Sequence, residues 1–278
     1  MTSLKKIISE KSLAPDDTSI HSLIMAGRVK VDGKIIDKPG SQVCPDSLIE
    51  ITPENPYVSR GGIKIEEAFN ELKLSARGKK AIDVGASTGG FTDFLLKNGC
   101  KSVVAIDVGY GILSWQLRKD PRVYVFERTN VRNIDVSNLP YASDFTVVDV
   151  SFISIENIFS KIMEITRRNG EILLLVKPQF EAKKDEVGRG GIITDQEIHK
   201  RVLLKIVQVI QDYKLSAERI TFSKIRGAKG NIEFWVYLRK KTGGQSAGVK
   251  SFPVIKKTGL NYDKIVSDIV QKAHKFFK

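Results

Sequence analysis

The chain has 278 residues, 41% of them hydrophobic and 28% charged, which suits one large folded domain with small attachments and excludes a mainly disordered protein. No apolar run approaches the roughly 18 residues of a membrane-spanning helix, and the N-terminus has no apolar leader, so a cytoplasmic protein without a membrane partner is expected. Two cysteines and three scattered histidines lack ligand spacing, so no metal site is expected, and the net charge of +13 points to a polyanionic partner.

Residues 1–56 read as two short helices and a small β unit. Val29 to Ile36 carries an Asp32-Gly33 hairpin signal between apolar residues, and Pro53 and Pro56 mark a boundary. Ile65, Ala68, Phe69 and Leu72 then share one helix face. Strand-like runs follow at Lys80–Val84, Ser102–Asp107, Arg122–Phe126, Phe145–Asp149, Glu171–Val176, Ile220–Lys224 and Ile232–Leu238. Helical stretches alternate with the first five. The clearest opens on a capping box at Thr194-Asp195-Gln196-Glu197 and continues through Ile198, Val202, Ile206 and Ile210. This alternation predicts an α/β fold with a mostly parallel seven-stranded sheet and an antiparallel hairpin at one edge.

Glu186 to Ile192, rich in glycine, reads as a mobile loop near the strand ends. Gly243 to Gly248 reads as a flexible linker, and a final amphipathic helix places Ile265, Ile269, Ala273 and Phe276 on one side. The charge is unevenly spread: net −1 over 1–56, +6 over 57–238 and +8 over 239–278. The last segment suits tracking a phosphate backbone, with a solvated tail as the alternative.

The strongest local signal is DVGASTGGFT (83–92), between a predicted strand and a predicted helix, where α/β sheets bind nucleotides. Phe91 stands where a phosphate-binding loop needs lysine, and Ser87 stands where a dinucleotide loop needs its middle glycine. S-adenosylmethionine, which has no phosphate, fits best. Asp83 ends the first strand and Asp107 ends the second, offering carboxylates for its amino group and its ribose. Gly85, Ala86, Ser87, Gly89 and Phe91 are the expected loop contacts. Val108, Thr129, Asn130 and Asp149 complete the cofactor set, with Asn130 toward the adenine edge.

The motifs VSRGGIK (58–64), DVGASTGGFT (83–92), AIDVGYG (105–111), LRKDPRVYVFERTNVR (117–132), DVSFIS (149–154), VKPQFE (176–181) and KGNIEF (229–234) carry a resemblance. Together they make the chain resemble the TlyA family, RNA 2′-O-methyltransferases often labelled hemolysin A. The resemblance implies an S4-like RNA-binding domain over 1–56 and a Rossmann-like, FtsJ-like class I methyltransferase domain over 57–242. The basic segment 243–278 lies beyond that core. It further implies methylation of cytidine ribose in ribosomal RNA, with ribosomal subunits as partners. The family's catalytic quartet maps onto Lys64, Asp149, Lys177 and Glu233. For RNA contact, the expected residues are Arg28, Lys30, Lys34, Arg60 and Arg189.

A ribose 2′-hydroxyl is a poor nucleophile, so the enzyme must align it with the methyl group and help remove a proton. On this reading Lys177 positions or deprotonates the hydroxyl, Lys64 assists it, and the two acids fix the amines. Two alternatives belong to other classes: a non-catalytic RNA-binding or ribosome-assembly protein, and a cytolysin.

Overall fold

The structure is a computed structural model that describes residues 2–14, 16–25, 28–51, 55–240 and 261–277. The linker read at Gly243–Gly248 lies outside the described residues, as do Pro53, Lys241, Lys250, Lys256, Lys257 and Lys278. The chain divides into two compact units, Met1–Asn55 and Pro56–Lys278.

The first unit runs β1 (Thr2–Ser3), α1 (Leu4–Glu10), α2 (Asp17–Met25), β2 (Val29–Val31), β3 (Lys34–Ile35), β4 (Gln42–Val43) and β5 (Ile49–Ile51). β2 lies between β3 and β5, antiparallel to both, and β1 pairs with β4. The turn joining β2 and β3 has positive φ at both Asp32 (50°) and Gly33 (77°), the tight hairpin geometry that Asp-Gly favours. The Asp32 carboxylate accepts from the Ser47 hydroxyl (2.8 Å) and the Leu48 N–H (2.9 Å), tying the turn to β5's approach. Leu4, Ile7, Ile8, Ile20 and Ile24 from the helices close over Val29, Val31 and Val43.

The second unit runs α3 (Arg60–Glu71), β6 (Lys80–Val84), α4 (Gly90–Lys97), β7 (Ser102–Ile106), α5 (Trp115–Lys119), β8 (Val123–Phe126), β9 (Ser143–Val148), α6 (Phe159–Ile165) and β10 (Thr166–Val176). It continues with α7 (Pro178–Glu181), α8 (Gln196–Asp212), β11 (Ala217–Phe222), β12 (Phe234–Arg239) and α9 (Tyr262–Phe276). Its seven strands take the order β11-β12-β10-β9-β6-β7-β8. The five from β10 to β8 are parallel, and β12 runs antiparallel to both neighbours.

Alternate residues of each strand feed two cores. Ile82, Ile172 and Leu174 pack with α6 and α8, while Ala81, Leu173 and Leu175 pack with α3 and α4. Burial on both faces explains why these strands are apolar runs rather than alternating ones. β10 begins at Thr166, five residues before the expected Glu171, because a register irregularity lets the chain pair with β9 on both sides of it.

Two helix expectations need correction. The N-cap of α8 is Asp195 rather than Thr194, with its carboxylate accepting from the Glu197 N–H at 2.7 Å. In α9 the buried line is Val266, Val270 and Ala273, whereas Ile265 and Ile269 are half-buried and Phe276 is 54% exposed. The cause is docking: α9 lies on α8 and β11, and that neighbour, not the helix's own pattern, selects the face.

Candidate active site

Parallel strands put the ends of β6, β7, β9 and β10 along one sheet edge, where side chains are freed from the ladder. β12 enters that edge from the opposite direction. Its Phe234 pairs with Val176, so one further step brings Glu233 opposite Lys177.

The loop after β6 is shaped by close approach. A Cβ on Gly85 would lie 2.2 Å from the Asp149 carbonyl oxygen, and φ there is +89°. A Cβ on Gly90 would meet the Ser59 hydroxyl at 2.3 Å and the Gly62 nitrogen at 2.8 Å, which is how α3 comes against the start of α4. Ser59 caps α3 by accepting from the Gly61 N–H at 3.3 Å. Ser87 has φ 51°, and its N–H donates to Asp107 Oδ2 at 2.8 Å. Gly89 is the left-handed N-cap of α4, and Ala86 is buried.

Asp107 also accepts from the Gly109 N–H at 2.7 Å, so it braces the loops after β6 and β7. Val108 is 70% exposed beside it. Thr129 is linked to Asp107 through its N–H, at 2.9 Å from the Asp107 carbonyl. The Asn130 side chain accepts from the Arg132 N–H at 3.0 Å, capping a short turn. The Phe91 side chain is buried in the core, 5.8 Å from the Trp235 ring, because it lies on the face of α4 that meets the sheet.

Asp83 is fully buried. Thr92 donates to Oδ2 at 2.7 Å, and Oδ1 has no partner. Burial pushes this carboxyl up to about 7, against the Thr92 hydrogen bonds, with nearby Asp149 and Asp107 adding to the rise. A buried carboxyl oxygen without a partner, beside a glycine-rich loop that has no lysine, suits a cationic ligand without phosphate.

The quartet forms two ion pairs at this edge. Lys64 Nζ lies 2.6 Å from Glu233 Oε2, with side-chain exposures of 7% and 3%. Gly227 makes room for that carboxylate, since a Cβ there would lie 2.4 Å from Glu233 Oε1. Lys177 Nζ lies 2.5 Å from Asp149 Oδ1 in an ion pair rather than an aligned hydrogen bond, and donates to the Ser151 hydroxyl at 3.0 Å. Glu233 is buried, as are Ile232 and Phe234 on either side of it.

Ser151, Gly227 and Glu181 support this arrangement through their contacts. Glu181 accepts from the Ser154 hydroxyl (2.5 Å) and the Ile155 N–H (2.7 Å), so VKPQFE braces DVSFIS. The signal was a shared one: both motifs follow strands that prove to be neighbours. Phe152 has φ 64°, is 89% exposed, and stands 4.9 Å from the Phe180 ring.

The residues expected to touch RNA lie in both units. Lys30 and Lys34 are exposed on the β2–β3 ribbon, Arg28 is half-buried at its start, and Arg60 is exposed at the first turn of α3. Arg189 is exposed, but its surrounding glycine stretch is tied down rather than loose. Gly188 N–H donates to the Ile192 carbonyl (3.1 Å), and the Asn231 side chain clamps the Gly191 carbonyl (2.7 Å) and the Ile193 N–H (2.9 Å). Among the described residues no group of three or more His, Cys, Asp or Glu could hold a metal ion, and no helix is long and apolar enough to cross a membrane.

Comparison with known proteins supplies the family. Residues 57–240 match the FtsJ-like methyltransferase family and residues 5–49 match the S4 domain. The 16S/23S rRNA (cytidine-2′-O)-methyltransferase TlyA of Mycobacterium tuberculosis is 37% identical over 234 residues, 84% of this chain and 87% of the relative. Hemolysin A of Brachyspira hyodysenteriae is 37% identical over 232 residues, 83% of this chain and 97% of the relative. The solved structure titled "Putative hemolysin from Streptococcus thermophilus" superposes with a TM-score of 0.74 at 35% identity, covering 99% of this chain and 96% of that one. Family match, relatives and the seven-stranded sheet agree: the chain belongs to the TlyA family, FtsJ-like methyltransferases that carry an S4 domain.

Proposed function

We propose that the protein transfers a methyl group from S-adenosylmethionine to the 2′-hydroxyl of a cytidine in ribosomal RNA, in the cytoplasm. The observation that carries this reading is the pair of lysine–carboxylate contacts, Lys64–Glu233 and Lys177–Asp149, at the sheet edge that also holds the glycine loop. The organisation proposed with it is an RNA-binding module over 1–56, a catalytic module over 57–242 and a basic segment over 243–278.

S-adenosylmethionine, when bound, supplies a methyl group already activated by a sulfonium. The Asp83 Oδ1 without a partner suits its ammonium, and Asp107 has lone pairs left for its ribose hydroxyls after accepting two N–H groups. Val108, Thr129 and Asn130 follow on the adenine side. Lys177 is the residue for the target hydroxyl: it is less enclosed than Lys64, and Asp149 and Ser151 fix its ammonium. Its ammonium orients the oxygen in line with the methyl group, and only after passing a proton to Asp149 or to solvent can the neutral amine take the proton of the hydroxyl. Lys64, locked to Glu233, keeps a positive charge behind that position. Phe152 and Phe180 offer an apolar wall for a base.

Purified protein, ribosomal subunits and methyl-labelled S-adenosylmethionine test the reading. Lys177→Ala should abolish incorporation and leave cofactor affinity intact. Retention of more than about a tenth of the wild-type rate would remove the lysine from the reaction.

A further inference from the structure

The loop after β7 is built more firmly than a connector needs. Glu127, just beyond β8, accepts from the Gly111 N–H at 2.9 Å and the Leu113 N–H at 3.3 Å, and pairs with Arg118. That guanidinium first, then the Gly111 N–H, holds the carboxyl down to about 2. Arg118 also donates to the Leu113 carbonyl at 3.2 Å, and the Arg128 N–H to the Gly109 carbonyl at 2.9 Å.

So braced, the loop leaves its large rings outside. Tyr110 is 68% exposed and Trp115, at the start of α5, is 67% exposed. Each carries a cation: the Arg128 guanidinium lies 4.0 Å from the Tyr110 ring centroid and the Lys119 ammonium 4.4 Å from that of Trp115. Arg128 is held at φ 50°, a left-handed backbone that a long side chain rarely adopts. Arg132, also exposed, follows within the same connection. A strained residue on a rigid loop at the cofactor edge points to use rather than accident.

Exposed rings faced by cations match one chemistry well. Unpaired bases stack on aromatic faces while the cations meet phosphate, and base-paired RNA buries the faces such rings need. We propose that Tyr110 and Trp115, with Arg128 and Lys119, form a stacking platform for unpaired nucleotides flanking the target ribose. This rests on the RNA-methylation reading.

The two tryptophans make the platform directly observable: Trp115 is 67% exposed and Trp235 only 1%. Full-length protein is titrated with a short single-stranded oligocytidine and with a duplex of the same length, following tryptophan fluorescence. Single strands should quench the emission, and Trp115→Phe should remove the quench while keeping the affinity. Tyr110→Ala should weaken binding about tenfold, with S-adenosylmethionine affinity unchanged. Absence of a quench, equal binding of the duplex, or an unaltered Tyr110→Ala affinity overturns the platform. Methylation of ribosomal subunits is measured alongside. A wild type that methylates, with a Tyr110→Ala/Trp115→Ala variant of unchanged KM, defeats the platform alone. A wild type that does not methylate defeats the functional reading, and the quench then decides the platform by itself.

Discussion

Lys64 and Glu233 meet at 2.6 Å with 7% and 3% of their side chains exposed, whereas Lys177 and Asp149 meet at 2.5 Å with 13% and 22% exposed. The inner pair joins the interior of α3 to the entry of β12, across 169 positions of chain. The outer pair joins two neighbouring strand ends and shares its ammonium with Ser151. Identical charges thus do different work. A buried pair offsets the loss of water only while both partners remain, so the inner one carries structural weight in addition to its charge. The outer pair is the more exposed of the two, as the proposed exchange of a partner for a substrate hydroxyl requires.

The sharpest way to break this comparison is to remove one inner charge. Lys64→Ala leaves the Glu233 carboxylate buried without its cation and should cost about 3–5 kcal/mol in urea denaturation. Replacing both partners by methionine should recover most of that stability and none of the methyl transfer. If the single variant is as stable as wild type, the inner pair is not structural.

Lys177→Ala should show the reverse pattern. Methyl transfer should fall about a hundredfold or more, while the urea midpoint moves little. Equal destabilisation by Lys64→Ala and Lys177→Ala would erase the distinction between the pairs.

Asp83 sharpens the contrast, as a fully buried acid without the cation that Glu233 has. Burial raises its carboxyl from the ordinary 3.8 to about 7. Between these values the folded chain holds a proton that the unfolded chain has lost. The stability from that proton is complete below about 3.8 and is lost as the pH rises through about 7. Asp83→Asn should therefore gain on wild type between about pH 5 and pH 8, by on the order of 2 kcal/mol. A pH-independent gap would mean that the acid is already ionised and compensated.

The smallest effect belongs to the surface. Lys264, Lys272 and Lys275 are exposed on α9, away from its docked line of Val266, Val270 and Ala273. Removing the tail would uncover that seam, so charge removal is the cleaner probe. Changing all three to glutamine should flatten the log–log salt dependence of RNA affinity by about 2, given roughly 0.7 per phosphate on single strands. Parallel slopes for variant and wild type would leave the helix as a solvated face.

Much of this molecule was legible in the chain itself. Apolar runs of strand length between amphipathic stretches are enough for a parallel sheet, since only burial on both faces tolerates them. The Asp32-Gly33 turn and the glycines at 85 and 90 follow from local backbone and contact limits that few other residues meet. The residues of the quartet could be named from motifs 58–64, 149–154, 176–181 and 229–234. The Lys64–Glu233 pairing could not. It depends on β12 turning back antiparallel beside β10 and on α3 reaching the same edge, contacts between distant parts of the chain. Tertiary packing likewise turned α9 toward Val266 and Val270, sent Phe91 into the core and left Asp83 without a cation. Periodicity specifies that a face is apolar, and sequence specifies that a residue is charged. What covers the face, and how much water the charge retains, is set only when the neighbours arrive.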